Sequence, residues 1–241
     1  MKLKTMLGAF GMGLSFSATA FALDVNEETP ILESGADHYD YLVYAMTWQP
    51  TYCLLNACKT TPRSEFYTHG IWPYLKTTPS SQNRHPDSCT QSIGCTQDTA
   101  CALTEANIAD AKAIPGFTQI VTDNPEGLMK HEWQKHGTCY GGSSLDYFKD
   151  FINLRTFATF DEHAFGALIG VEGGTTLSDI QTLFPPNTSY RCATYKNEQY
   201  LFEVFYLLNK DRTGAPYIDQ SLQIGTACDP ARKIVIPTAP S

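Results

Sequence analysis

The chain has 241 residues, with 25 acidic against 17 basic side chains and a net charge of −8 at neutral pH. That balance excludes bulk, non-specific capture of nucleic acid, which depends on many phosphate-neutralising cations, but leaves room for a local cationic pocket. The length suits one well-buried core rather than two.

Residues 1–22, "MKLKTMLGAFGMGLSFSATAFA", carry two early lysines, an apolar run and small residues at the end. They read as a secretory leader cleaved after Ala22 or Ala20, with an apolar run too short to span a bilayer. No later segment is apolar enough to anchor the chain. A mature domain of residues 23–241 is expected, periplasmic or secreted and monomeric. Losing Lys2 and Lys4 takes 17 basic side chains to 15 against 25 acidic, a net −10. All eight cysteines (Cys53, Cys58, Cys89, Cys95, Cys101, Cys139, Cys192 and Cys228) lie beyond the leader. An even number in an exported chain points to disulfides, with the pairing open. No close CxxC pair or repeated ligand spacing supports a zinc site.

In chain order, "DYLVYAMTWQP" (40–50) is aromatic and β-branched and predicts a strand running into a loop tied by Cys53 and Cys58. "EFYTHGIWP" (65–73) predicts a second strand, with His69 near its end. Thr77 to Ala100 is polar, proline-punctuated and cysteine-bearing, and predicts a long covalently held loop. Gly127–His136 predicts a helix, with Pro125 and Glu126 as a candidate first turn. "SSLDYFKDFINL" (143–154) predicts another, capped at Ser144. A third is expected from Asp161, and Thr176 with Asp179 marks a cap before "IQTLF". "YLFEVFYLL" (200–208) predicts a central strand and "RKIVIP" (232–237) a short final one. The closing "PTAPS" is expected to be loose, and Asn187 opens an N-T-S sequon expected on a surface loop. Without regular βαβ spacing or a glycine fingerprint, the fold class is α+β.

"KHEWQKHGTC" (130–139) concentrates the chemistry. On a helix, His131, Glu132, Lys135 and His136 share one face about 140° wide, while Met129 and Trp133 flank it and pack on the core. A zinc protease helix needs H-E-x-x-H; here one extra residue separates the histidines and Lys135 sets a cation between them. A solvated charged face is the bland reading. With His69 added, three histidines, a lysine and a carboxylate suit cleavage of single-stranded RNA by its own 2′-hydroxyl. One neutral imidazole takes the proton, a charged one gives its proton to the leaving oxygen, and Lys135 and His131 meet the phosphoryl charge. No cofactor and no metal is required. Glu132 can orient a histidine or hold the cations protonated. Trp72 reads as core or as a stacking wall for a base, Tyr74 likewise. Gly70 reads as a turn or a point of close substrate approach. His38, His85 and His163 read as packing.

"THGIWP" (68–73) and "KHEWQKHGTC" resemble the two active-site segments of the secreted ribonuclease T2 family, and "TWQPTYC" (47–53) resembles its Trp-Pro-Cys element. The resemblance implies a disulfide-stabilised α+β domain with a central, mainly antiparallel sheet. It also implies metal-free cleavage of RNA through a 2′,3′-cyclic phosphate, then slower hydrolysis to a 3′-phosphate. By that likeness His136 is the general base and His69 the general acid. His131 binds phosphate, Glu132 and Lys135 stabilise the transition state, and Trp72 lies in the base pocket. The residue pattern itself is symmetric under exchange of base and acid. The likeness further implies Cys53–Cys58 and Cys192–Cys228, with Cys139 joined to one of Cys89, Cys95 and Cys101. Tyr74 stands where some fungal members carry a base-recognising aspartate, so broad base tolerance is expected. The rival reading is a catalytically silent RNA-binding or inhibitory protein.

Overall fold

The computed structural model describes residues 31–32, 37–58, 60–76, 85–89, 101–122 and 125–239. The expected leader, most of the loop between Thr77 and Ala100, and Cys95 lie outside these residues. In chain order the elements begin with β1 (Ile31–Leu32), β2 (Tyr41–Trp48), α1 (Gln49–Leu55), β3 (Phe66–Tyr74) and β4 (Pro86–Asp87). Then come α2 (Glu105–Lys112), α3 (Phe117–Ile120), α4 (Pro125–Lys135), a 3-10 turn (Gly137–Cys139), α5 (Ser144–Arg155), α6 (Glu162–Gly166) and α7 (Leu177–Gln181). The chain closes with β5 (Thr188–Tyr195), β6 (Glu198–Asn209) and β7 (Ile234–Val235).

The main sheet runs β3–β2–β6–β5 with antiparallel neighbours, and β7 adds to β6 in parallel. This is the α+β fold with a mainly antiparallel sheet that the sequence predicts. Strand alternation sends Leu42, Tyr44, Met46 and Trp48 into the larger core, shared with α4 and α5. It sends Tyr41, Val43 and Ala45 to the other face, with Trp72, Tyr74, Phe205 and Leu207. Because both faces are covered, β2 and β6 read as nearly continuous apolar runs.

Two irregularities in this sheet shape the site. Ala45 pairs with Gly70 but Met46 pairs with Thr68, so His69 is an extra residue on β3. Arg191 pairs with Glu203 but Cys192 pairs with Leu201, so Phe202 is an extra residue on β6. Such bulges redirect a side chain that strict alternation would bury.

Several expectations shift. Ser143, not Ser144, caps α5, and its hydroxyl and Asp146 form a reciprocal capping box. Asp161 caps α6, and Thr176 with Asp179 does the same for α7. The stretch after the first strand, expected as a loop tied by Cys53 and Cys58, begins as helix α1, and helices α2 and α3 and strands β1, β4 and β5 have no counterpart in the sequence reading. The expected loose tail is docked as far as Ala239: Trp48 Nε1 donates to Pro237 O at 3.0 Å, and Ala239 N donates to Ser64 Oγ at 2.8 Å. Asn187 is buried rather than displayed, and its amide donates to Leu207 O at 2.7 Å, so the sequon nitrogen is already engaged. Disulfides join Cys53–Cys58, Cys89–Cys139 and Cys192–Cys228, and Cys101 is also disulfide-bonded. The partner left open for Cys139 is therefore Cys89.

Candidate active site

Helix α4 is fixed before its polar residues come into play. Met129 and Trp133 enter the core, and Trp133 Nε1 donates to Cys101 O at 2.7 Å. Its C-terminal carbonyls are claimed by neighbours: Ser88 N donates to Lys135 O at 2.9 Å and Thr138 Oγ1 to Gln134 O at 3.0 Å. Cys89 N donates to Thr138 Oγ1 at 3.0 Å, beside the Cys89–Cys139 bridge. These bonds satisfy groups that a helix end otherwise leaves to solvent. His136 continues the helical pattern, with its N–H on Glu132 O at 2.9 Å.

The four polar residues divide unequally along the predicted arc. The His131 side chain is 55% exposed at the rim, whereas that of Glu132 is fully buried. Lys135 and His136 are also buried. Glu132 Oε2 accepts the Trp72 indole N–H at 2.8 Å, while Oε1 faces His69 Nε2 at 3.4 Å and His131 Nε2 at 4.0 Å. A Cβ at Gly70 would overlap Glu132 Oε2 and crowd the Trp72 indole nitrogen. Gly70 therefore makes room for Glu132, which is neither a turn nor a point of substrate approach.

The Trp72 ring lies between the two candidate proton carriers. Its centroid is 5.3 Å from that of His69, edge-on, and 5.2 Å from that of His136, stacked. His85 packs on the far side of His136 at 5.4 Å and on Tyr74 at 5.6 Å. Trp72 and Tyr74 are both buried in the second core. Trp72 packs against Phe205 and His136 and donates to a carboxylate, and Tyr74 packs against Tyr41 and His85.

Electrostatics separates the two histidines. Burial pushes the His136 imidazole well below its ordinary range, and the nearby charges of His85, Lys135, His131 and His69 push the same way. Its buried Nδ1 has no hydrogen-bond partner among the described residues. His69, 29% exposed in its side chain, meets carboxylates instead: Glu132 near Nε2, and Glu203 at 2.7 Å from Nδ1. Burial also pushes the Glu132 carboxyl up, against the opposing pull of His69, His131, the Trp72 N–H and Lys135. Lys135, itself buried, adds its charge to the field felt by Glu132 and His136. Among the described residues, no group of three or more His, Cys, Asp or Glu side chains is arranged to hold a metal ion.

The structure thus brings His69, His131, Glu132, Lys135 and His136 together where β3 meets α4 and its end. Comparison with known proteins gives this arrangement its lineage. The model of the Ribonuclease T2 family matches residues 39–217. The chain belongs to the ribonuclease T2 family.

Among its relatives is a ribonuclease of Aeromonas hydrophila, 25% identical over 78% of this chain and 80% of that one. Ribonuclease S-2 of Pyrus pyrifolia is 31% identical over 45% of this chain and 44% of its own. The chain therefore spans most of the bacterial relative and about half the length of the plant one. Two solved folds are similar. A self-incompatibility-associated ribonuclease of Nicotiana alata has a TM-score of 0.56 at 20% identity, over 83% of this chain and 99% of that one. A ribonuclease from bitter gourd seeds has a TM-score of 0.57 at 18% identity, over 79% and 100%. At these identities the structural likeness concerns the fold alone.

Glu203 is the member of the site that sequence reasoning missed. Its signal was a lone acid inside the apolar run "YLFEVFYLL". His85, read as packing, does pack, but against the site itself.

Proposed function

We propose that this ribonuclease T2 family member is an endoribonuclease that cuts single-stranded RNA by attack of each 2′-hydroxyl on the adjacent phosphorus. The observation that carries the reading is the opposite setting of the two imidazoles on either side of Trp72. A ring that burial keeps neutral is suited to accept a proton; a ring between carboxylates is suited to carry one. His136 removes the 2′-hydroxyl proton as the new O–P bond forms. His69 gives a proton to the 5′-oxygen as the old P–O bond breaks. The products are a 2′,3′-cyclic phosphate and a free 5′-hydroxyl. Lys135 and a protonated His131 meet the phosphoryl oxygens as they gain charge, and the Glu132 carboxyl lies beside them as a buried counter-group. In a slower second step water opens the ring to a 3′-phosphate, with the two histidines exchanging duties.

The burial of Trp72 and Tyr74, and a tyrosine rather than an aspartate at position 74, support broad base tolerance. We further propose that residues 1–22 are an export leader and that the enzyme works in the periplasm or outside the cell. N-terminal sequencing of the exported protein is expected to begin at Leu23 or Phe21, and a retained Met1 argues against export processing.

The test is a time course on each dinucleoside monophosphate in excess chelator. The cyclic phosphate is expected to accumulate before the 3′-phosphate, for all four bases, and DNA is expected to survive because it lacks the internal nucleophile. Loss of cleavage in chelator, or cutting of DNA at a comparable rate, overturns the mechanism. Tight RNA binding without turnover by the intact protein would favour the silent-binder reading instead.

A further inference from the structure

Glu203 lies outside both sequence motifs, yet the sheet register delivers it to the site. Thr47, Glu203 and Arg191 are cross-strand neighbours on β2, β6 and β5. Thr47 Oγ1 donates to Glu203 Oε1 at 2.8 Å, and Arg191 Nη1 lies 3.0 Å from Oε2. The bulge that leaves His69 as the extra residue of β3 turns its ring toward the same carboxylate, with Nδ1 at 2.7 Å from Oε1. Burial alone would raise the Glu203 carboxyl, but His69, then Arg191 and Thr47, outweigh it and bring the group to about 2. A charged carboxylate only accepts hydrogen bonds, so the ring nitrogen facing it must be the donor.

Arg191 is itself restrained. Its guanidinium lies over the Phe202 ring, 5.3 Å from the centroid, and it packs where Gly225 leaves no side chain in the way. The array is thus held by neighbouring strands at the Nδ1 edge of His69, and the other edge of the ring presents Nε2, 3.4 Å from Glu132 Oε1.

We propose that Glu203 is the positioning residue of the acid histidine: it accepts the Nδ1–H of His69, fixes the ring's direction and keeps it charged, so that Nε2 presents a proton to the leaving oxygen. This rests on the ribonuclease reading for the identity of that oxygen, though not for the state of the ring. The charged and titratable groups facing His69 are Glu203 and Arg191 across the sheet, and Glu132, His131, Lys135 and His136 from α4 and its end. Of these, Glu203 makes the short contact to the ring.

The experiment compares the intact protein with Glu203→Gln, which keeps an acceptor oxygen but removes the charge. Two readouts are taken: the pH profile of kcat/KM on a dinucleoside monophosphate, and the titration of the His69 ring by NMR. In the variant the descending limb and the ring titration are both expected to move to lower pH by about one unit or more. A fall in kcat with KM nearly unchanged should accompany this. If activity falls while neither titration moves, Glu203 is only structural and the proposal is overturned. Should the variant fail to fold, the wild-type ring decides: His69 titrating at or below the free imidazole value of about 6.5 overturns it, and a clearly higher value sustains it. If the wild type leaves RNA intact while the ring shift is still seen in Glu203→Gln, the ribonuclease reading fails and the Glu203–His69 coupling stands.

Discussion

At the scale of single residues, the site depends on close fits as much as on chemistry. Gly70→Ala would place a methyl group where Glu132 Oε2 now sits. The carboxylate and the Trp72 indole must then separate, and displacement of such groups by about 1 Å costs on the order of 100-fold in rate. A loss of that size in kcat, with the protein still folded by circular dichroism, is expected; near-normal kcat would show that Glu132 is not held as described. His136 gives a second expectation, in stability. Its folded-state titration lies below the ordinary 6.5 because burial, then neighbouring positive charge, opposes protonation. The unfolded chain therefore binds the proton more readily, and the stability tied to the neutral ring is present above pH 6.5 and lost as pH falls below it. A His136→Phe variant lacks this dependence. The difference in Tm between wild type and variant should change in the variant's favour as pH drops from about 7.5 to 5.5, and a constant difference would contradict the assignment.

At the scale of elements, the short segment around Cys89 matters more than its length suggests. It binds the end of α4 through one disulfide and through bonds to Lys135 O and Thr138 Oγ1, immediately after the helix delivers His136. The Cys89–Cys139 bridge has a sequence separation of 50, against 5 for Cys53–Cys58. On the chain-entropy account the two contribute about 4 and about 2 kcal/mol. Replacing Cys89 and Cys139 together by Ala is expected to lower both Tm and kcat, whereas the same change at Cys53 and Cys58 should lower Tm less and spare kcat. Equal kcat losses in the two double variants, measured below their melting range, would remove the anchoring role. The bulges at His69 and Phe202 belong to this scale as well, because each shifts the register of its strand beside the Glu203 array.

At the scale of the whole molecule, what the sequence disclosed was local and what it concealed was not. His131, Glu132, Lys135 and His136 fall within one helical arc, so their grouping needs only a 3.6-residue period. Strands β2, β3 and β6 announce themselves by aromatic and β-branched runs. The place of Glu203 depends on the register of three strands far apart in the chain, and within "YLFEVFYLL" nothing distinguishes it from a misplaced surface acid. Alternation put Trp72 and Tyr74 on one face but could not say that Tyr217, Leu222 and Ile224 would pack against that face. The N-T-S sequon beside prolines reads as a loop, yet β5 begins at Thr188 and draws Asn187 inward. The proposed roles of the two imidazoles are interchangeable in one dimension; burial beside cations for His136 and contact with carboxylates for His69 are what support the assignment. That distinction is tested most directly with a dinucleotide whose bridging 5′-oxygen is replaced by sulfur, a leaving group that needs no proton. On this substrate His69→Ala is expected to recover most of the wild-type rate while His136→Ala stays inactive. Recovery by His136→Ala and not by His69→Ala would reverse the assignment, and recovery by neither would contradict it.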